Sequence, residues 1–113
     1  MRDVFQPCTY ILASQRNGTL YIGVTSNLVQ RLWQHRNGTT GGFATRYRTC
    51  RLVHFELFGT MELAIAREKQ FKNWHRPWKI NLIETDNPEW RDLAFNIGAE
   101  PIGRAMDAET SSA

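Results

Sequence analysis

Asn17-Gly18, flanked on each side by a short apolar run, is the strongest hairpin signal in this chain of 113 residues. The runs Cys8–Ala13 and Leu20–Thr25, rich in Tyr, Ile, Val and Thr, are predicted as its strands. If the loop is Asn17 and Gly18 alone, residue 10 pairs with 25, 12 with 23 and 14 with 21. A four-residue loop over 15–18 instead pairs 10 with 23 and 12 with 21. In either register Tyr10, Tyr21 and Gly23 share one face, because side chains alternate with period 2 and paired residues point the same way. The hairpin thus displays two phenols beside a bare glycine.

A helix is predicted next, capped by Thr25, Ser26 or Asn27, with Leu28, Val29 and Leu32 as its apolar stripe up to about Arg36. The Gly/Thr-rich segment 37–42 ends it. Arg46, Arg48 and Arg51, around Tyr47, are expected on an exposed basic loop leading into a strand over 52–58. Gly59 and Thr60 close that strand and cap a second helix over 61–74, with Leu63, Ala66, Gln70 and Trp74 on one face. Residues 75–77 interrupt it, because proline disfavours a helical residue before it; a short third helix over 78–84 is expected, started by Pro77. Asn87-Pro88 marks a turn, after which 90–95 packs back on the domain. The small, polar, aperiodic stretch 98–113 reads as a disordered tail, leaving one domain over 1–97. The order β-β-α-β-α-α indicates an α+β fold, a small antiparallel sheet with helices packed on it.

Such a chain can bury roughly two-thirds of its unfolded surface without staples. Cys8 and Cys50 have neither CxxC spacing nor the density of a disulfide scaffold, so a reducing cytoplasmic setting is expected. No apolar run approaches the roughly 20 residues of a membrane-spanning helix, and no membrane partner is expected. The charge is uneven: residues 1–83 carry 12 Lys or Arg against four acids, and residues 84–113 two against seven. A basic globular part suits a polyanion, although charge alone is weak evidence for one.

Arg31 and His35, four apart, fall on one helix face at the border of the Leu28/Leu32 stripe. A guanidinium there can grip a phosphate with two hydrogen bonds and stabilise charge growing on it. Glu68 is one of four acids in the basic part, and one carboxylate is enough to hold Mg²⁺ when water and phosphate supply the other ligands. Several clustered carboxylates, which a two-metal site needs, are missing. A phenol with a pKa near 10 is a poor base at neutral pH, and Arg31, His35 and a metal are the groups that could lower it. Taken singly, these residues read as a snorkelling arginine, a surface histidine, a helical glutamate paired with Lys72, and two core tyrosines. Trp74, Trp78 and Trp90, interleaved with Arg76 and Lys79, are read as core residues in preference to base-stacking platforms. Cys8, Cys50, His54 and His75 lack zinc-ligand spacing.

Together, Tyr10, Tyr21-Ile22-Gly23, Arg31, His35, Glu68 and Asn81, in that order, resemble the GIY-YIG nuclease superfamily. The resemblance spans about residues 7–95 and is greatest to the small stand-alone bacterial branch, related to the N-terminal domain of the excision-repair endonuclease subunit; Arg67-Glu68-Lys69-Gln70 and Asn87-Pro88-Glu89-Trp90 fit it. It implies a three-stranded antiparallel sheet flanked by helices and divalent-metal-dependent endonuclease cleavage of DNA, in repair, recombination or processing. By resemblance, Tyr10 activates water or relays its proton, Tyr21 positions water or phosphate, Arg31 clamps the phosphate and Glu68 holds Mg²⁺ or Mn²⁺. His35 assists the tyrosine, and Asn81 supports the metal and phosphate. Gly23, Arg46, Arg48, Arg51, Lys72, Arg76 and Lys79 are the positions expected to meet DNA, whether single-stranded, branched or duplex. The first motif reads Cys8-Thr9-Tyr10 in place of Gly-Ile-Tyr, and Val24 stands where some members place lysine, which makes His35 the more important partner of Tyr10. The alternatives are a noncatalytic nucleic-acid-binding module and a scaffold that docks on a repair protein. Oligomeric state is open.

Overall fold

The computed structural model describes residues 6–36 and 51–94. The elements are β1 (Cys8–Ala13), β2 (Leu20–Thr25), α1 (Leu28–Arg36), β3 (Arg51–Leu57), α2 (Met61–Asn73) and α3 (Arg76–Asp86). The three strands form one antiparallel sheet in the order β2-β1-β3. The expected loop around Arg46 and Arg48, and the expected tail over 98–113, lie outside the described residues. Among those described, no helix is long and apolar enough to cross a membrane.

The hairpin takes the register of the four-residue loop, with Tyr10 opposite Gly23 and Leu12 opposite Tyr21. A two-residue loop of the favoured type needs positive φ at both central residues. Here Asn17 alone adopts it among the loop residues, at 59°, a conformation asparagine tolerates well. The Gly18 N–H then donates to the Gln15 carbonyl at 2.9 Å. Gly18 is required for closeness, since a Cβ there would lie 2.3 Å from Ser14 Oγ.

Every β1 side chain is buried, because both faces of this central strand are covered. Tyr10 and Leu12 pack with Leu28 and Leu32 of α1. Ile11 and Ala13 point the other way, to Phe71, Ile83 and Trp90. Between β1 and β3 the register shifts: Ile11 faces His54 and Leu12 faces Leu52. Val53 is therefore an extra residue, and it joins the cluster on the α2/α3 side.

Asn27 caps α1, its Oδ1 accepting the Gln30 N–H at 3.1 Å, and Thr60 Oγ1 caps α2 by accepting the Leu63 N–H at 3.2 Å. The face that α2 buries is not the expected one. Leu63 and Ala66 are exposed, and Ala64 and Phe71 are buried instead. The small Ala64 lets the helix approach β1 closely enough for the Thr9 hydroxyl to donate to the Ala64 carbonyl at 2.6 Å. The third helix begins at Arg76, two residues before the expected start, with Pro77 in its first turn, and the break falls at Trp74 and His75.

Past α3 the chain does pack back. Asn87 is buried and its Nδ2 donates to the carbonyls of Val53 (3.2 Å) and Arg91 (2.9 Å). Trp90 is fully buried, its indole N–H donating to Glu84 Oε2 at 2.6 Å. Arg51, expected on an exposed loop, turns inward from the start of β3 and donates to the Trp90 carbonyl at 3.1 Å. That bond ties the returning segment to the sheet edge.

Candidate active site

Tyr10 stands in the middle of the central strand, and its position follows from what β2 lacks beside it. A Cβ on Gly23 would lie 2.5 Å from the Tyr10 hydroxyl oxygen and 2.6 Å from Cζ. The phenol therefore crosses the space that a β2 side chain would fill and reaches toward the outer strand of the sheet. Tyr21, on the same face, puts its ring centroid 6.4 Å from that of Tyr10.

The first helix lays the next groups over this pair. Leu28 and Leu32 anchor it to the sheet, which brings His35 Nε2 to 3.1 Å from the Tyr10 hydroxyl. The His35 ring lies 5.2 Å from the Tyr21 ring, centroid to centroid. Arg31, one turn earlier, is near enough for its charge to act on both Tyr10 and His35.

Of the groups that could lower the Tyr10 pKa, Arg31 does act in that direction but does not prevail. Burial raises it above the ordinary tyrosine range and Tyr21 adds to the rise, while Arg31 pulls the other way without offsetting them. Burial, and then the Arg31 charge, push His35 below the usual histidine value. Tyr10 is thus a neutral phenol and His35 a neutral imidazole at pH 7. With the ring proton on Nδ1, the Tyr10 O–H donates to His35 Nε2.

A depressed histidine pKa has a definite linkage sign. Its stabilising contribution is fully present above the unfolded value of about 6.5 and is lost as pH falls through the lower folded value, because the unfolded chain takes up the proton first. Wild type is therefore expected to lose more melting temperature than His35→Gln between neutral pH and pH 5. Equal losses in the two proteins would show that His35 is not held neutral by its surroundings.

Glu68 lies on α2, the helix on the opposite face of the sheet from α1. Arg67 marks the β3 side of that helix, bonding Glu56 on β3 at 2.8 Å. Glu68, the next residue, lies about 100° further round the helix. Its side chain is 17% exposed and its carboxylate accepts from Lys72 Nζ at 2.9 Å. No three His, Cys, Asp or Glu side chains gather among the described residues. That donor set does not suit a transition-metal cage or a two-metal cluster. A lone carboxylate that already attracts an ammonium group does suit a hard cation completing its shell with water and phosphate.

The structure brings Tyr10, Tyr21, Gly23, Arg31 and His35 together, and leaves Glu68 on α2, the helix on the opposite face of the sheet. Asn81 is exposed on α3, with no hydrogen bond to its side chain among the described residues. Of the basic positions, Lys72 pairs with Glu68, and Arg76 donates to the carbonyls of Asn17 (2.8 Å) and Gly18 (2.7 Å). Lys79 is half-buried, Arg51 turns inward, and Arg46 and Arg48 lie outside the described residues. Asn27, expected only as a helix cap, also lies beside this site: it precedes Arg31 by one turn, and its buried Nδ2 has no hydrogen-bond partner. The spacing Asn27, Arg31, His35, four residues each time, was the signal that could have shown this. Cys8 lies beneath this site, fully buried, its thiol pushed up to about 12 by burial, so it is unreactive.

Compared with protein families, residues 6–81 match the GIY-YIG catalytic domain. A UPF0213 protein of Syntrophus aciditrophicus is 39% identical over 72 residues, covering 63% of this chain and 82% of that protein. A UPF0213 protein of Haloquadratum walsbyi is 40% identical over 67 residues, 58% of this chain and 74% of its own. One from Bacillus licheniformis is 34% identical over 83 residues, 74% of this chain and 84% of its own. No solved structure matches the chain. The domain match begins before β1 and ends within α3, so it takes in the whole sheet and the helix of Arg31 and His35, and the chain belongs to the GIY-YIG family.

Proposed function

We propose that this protein is a DNA endonuclease that hydrolyses phosphodiester bonds at the edge of the sheet formed by β2, with Mg²⁺ or Mn²⁺ held by Glu68. The observation that carries the reading is the bond between the Tyr10 hydroxyl and His35 Nε2, buried beside Tyr21 and Arg31. A neutral phenol cannot take a proton from water and keep its own. It can pass its proton to His35 Nε2 as it accepts one from the attacking water, and a histidine held neutral is ready to receive it. Tyr21 orients the water or a phosphate oxygen. Arg31 grips the scissile phosphate and stabilises the charge that builds on it. The divalent cation, when bound, supplies Lewis-acid neutralisation of the phosphate and the leaving oxygen. Asn81 supports the substrate side of that carboxylate. Lys72, Arg76 and Lys79, with Arg46 and Arg48, supply further contacts to the DNA backbone, in a role within DNA repair, recombination or processing.

The test is cleavage of labelled single-stranded, duplex and branched DNA by wild type and Glu68→Ala, with Mg²⁺, with Mn²⁺ and with chelator. Cutting by wild type is expected to need the metal, and Glu68→Ala is expected to abolish it without lowering the melting temperature, since the one contact described for this carboxylate is an ion pair with a mostly exposed lysine. DNA binding without cutting under every condition would replace the enzyme with a noncatalytic binding module.

A further inference from the structure

The corner between α2 and α3 carries an aromatic surface that this chemistry leaves unused. Trp78, in the first turn of α3, is 57% exposed, against the expectation that it joins the core. Its ring stands edge-on to Trp74, with centroids 5.8 Å apart and planes at 74°. Trp74 is half-buried and fixed in turn: its ring centroid is 5.3 Å from that of Phe71, and the Arg67 guanidinium lies 5.3 Å from it. Arg67 is itself held by two hydrogen bonds to Glu56, at 2.8 Å and 3.2 Å, and Glu56 also bonds His54 at 2.9 Å. Trp78 therefore packs edge-on against a ring that Phe71 and Arg67 hold in turn.

The stretch of chain that carries Trp78 is basic, although one of its cations, Lys72, is paired with Glu68. Residues 69–82 hold Lys69, Lys72, Arg76 and Lys79 and no acid. Lys79 directly follows Trp78, and neither Lys69 nor Lys79 forms an ion pair among the described residues. Arg76 ties this corner to the hairpin at Asn17 and Gly18. Tyr21 lies three residues beyond Gly18, so at most about 10 Å along the chain.

We propose that Trp78 is a stacking platform for an unpaired base, so that the nucleic acid engaged at this corner is single-stranded. The inference rests on the nuclease reading for the identity of the polymer and adds the form in which it is held. An indole face accepts any base, provided that base is not already stacked within a duplex. A duplex would meet only the lysines, through its phosphates. A protein partner could also cover an exposed indole, but a stretch with Lys69 and Lys79 outside any described ion pair and Arg76 bound only to neutral carbonyls complements a polyanion.

The test compares binding of a labelled oligothymidine and of a duplex of equal length, in chelator so that nothing is cut, to wild type, Trp78→Ala and Trp78→Phe. Trp78→Ala is expected to bind oligothymidine about tenfold more weakly, the worth of one stacked base, with duplex binding unchanged and Trp78→Phe in between. Its melting temperature is expected to match wild type, since the side chain is exposed. Unchanged oligothymidine binding, or equal losses on both DNAs, overturns the platform. Metal-dependent cleavage, scored separately, distinguishes the two readings. A wild type that holds oligothymidine through Trp78 yet cuts nothing keeps the platform and loses the nuclease; one that cuts while Trp78→Ala binds normally does the reverse.

Discussion

Tyr10→Phe is expected to slow metal-dependent DNA cleavage by about 10²- to 10⁴-fold, the range for losing a positioned proton-transfer group, while the fold persists. The phenyl ring keeps the packing of Tyr10 against Leu12, Leu28 and Leu32. What is lost is one buried hydrogen bond, to His35 Nε2, which costs about 1 kcal/mol. Single-turnover cleavage at saturating DNA, beside a thermal melt, separates the two effects. Rates within a few-fold of wild type would place the proton path elsewhere, and Tyr10 would then be a core tyrosine whose hydroxyl happens to be satisfied.

Gly23→Ala is expected to lower stability by about 1–3 kcal/mol and to cut the cleavage rate by about 100-fold, although it adds a single methyl group. At a strand position with ordinary φ, replacing glycine by alanine normally stabilises a protein by about 0.4–1 kcal/mol, through the unfolded chain. The opposite sign follows from the 2.5 Å and 2.6 Å approaches to the Tyr10 hydroxyl oxygen and Cζ, well inside the roughly 3.5–4.0 Å of a comfortable contact. Relief requires the Tyr10 ring to move by about 1 Å, and such a displacement of a reacting group is worth about 10² in rate. The ring is fully buried and bonded to His35, so it has little freedom to yield. Melting curves and cleavage rates check both claims. A stabilised, fully active Gly23→Ala protein would mean that the phenol does not lie across β2.

Several parts of this architecture are legible in the chain itself because they depend on neighbours close in sequence. Turn chemistry at Asn17 and Gly18 and the period of a strand were enough to place Tyr10, Tyr21 and Gly23 on one face. Spacing of four put Arg31 and His35 on one side of a helix. The face buried by α2 was not legible, because Leu63 and Trp74 satisfy a helical stripe as well as Ala64 and Phe71 do. What chose between them was the close approach that Ala64 allows to Thr9 on β1.

By itself, the sequence determined the element order, the hairpin's two candidate registers and the shared face of its tyrosines, since each follows from backbone geometry within a few residues. Only the tertiary structure decided that Tyr10 bonds His35, that Arg51 turns in to Trp90, and that Trp78 stays outside while Trp90 is enclosed. It also decided the direction of the Tyr10 pKa, since desolvation by the surrounding core outweighs the nearby guanidinium. Contacts and burial of this kind arise from segments distant in sequence, and their outcome depends on which groups compete for the same space and the same charge.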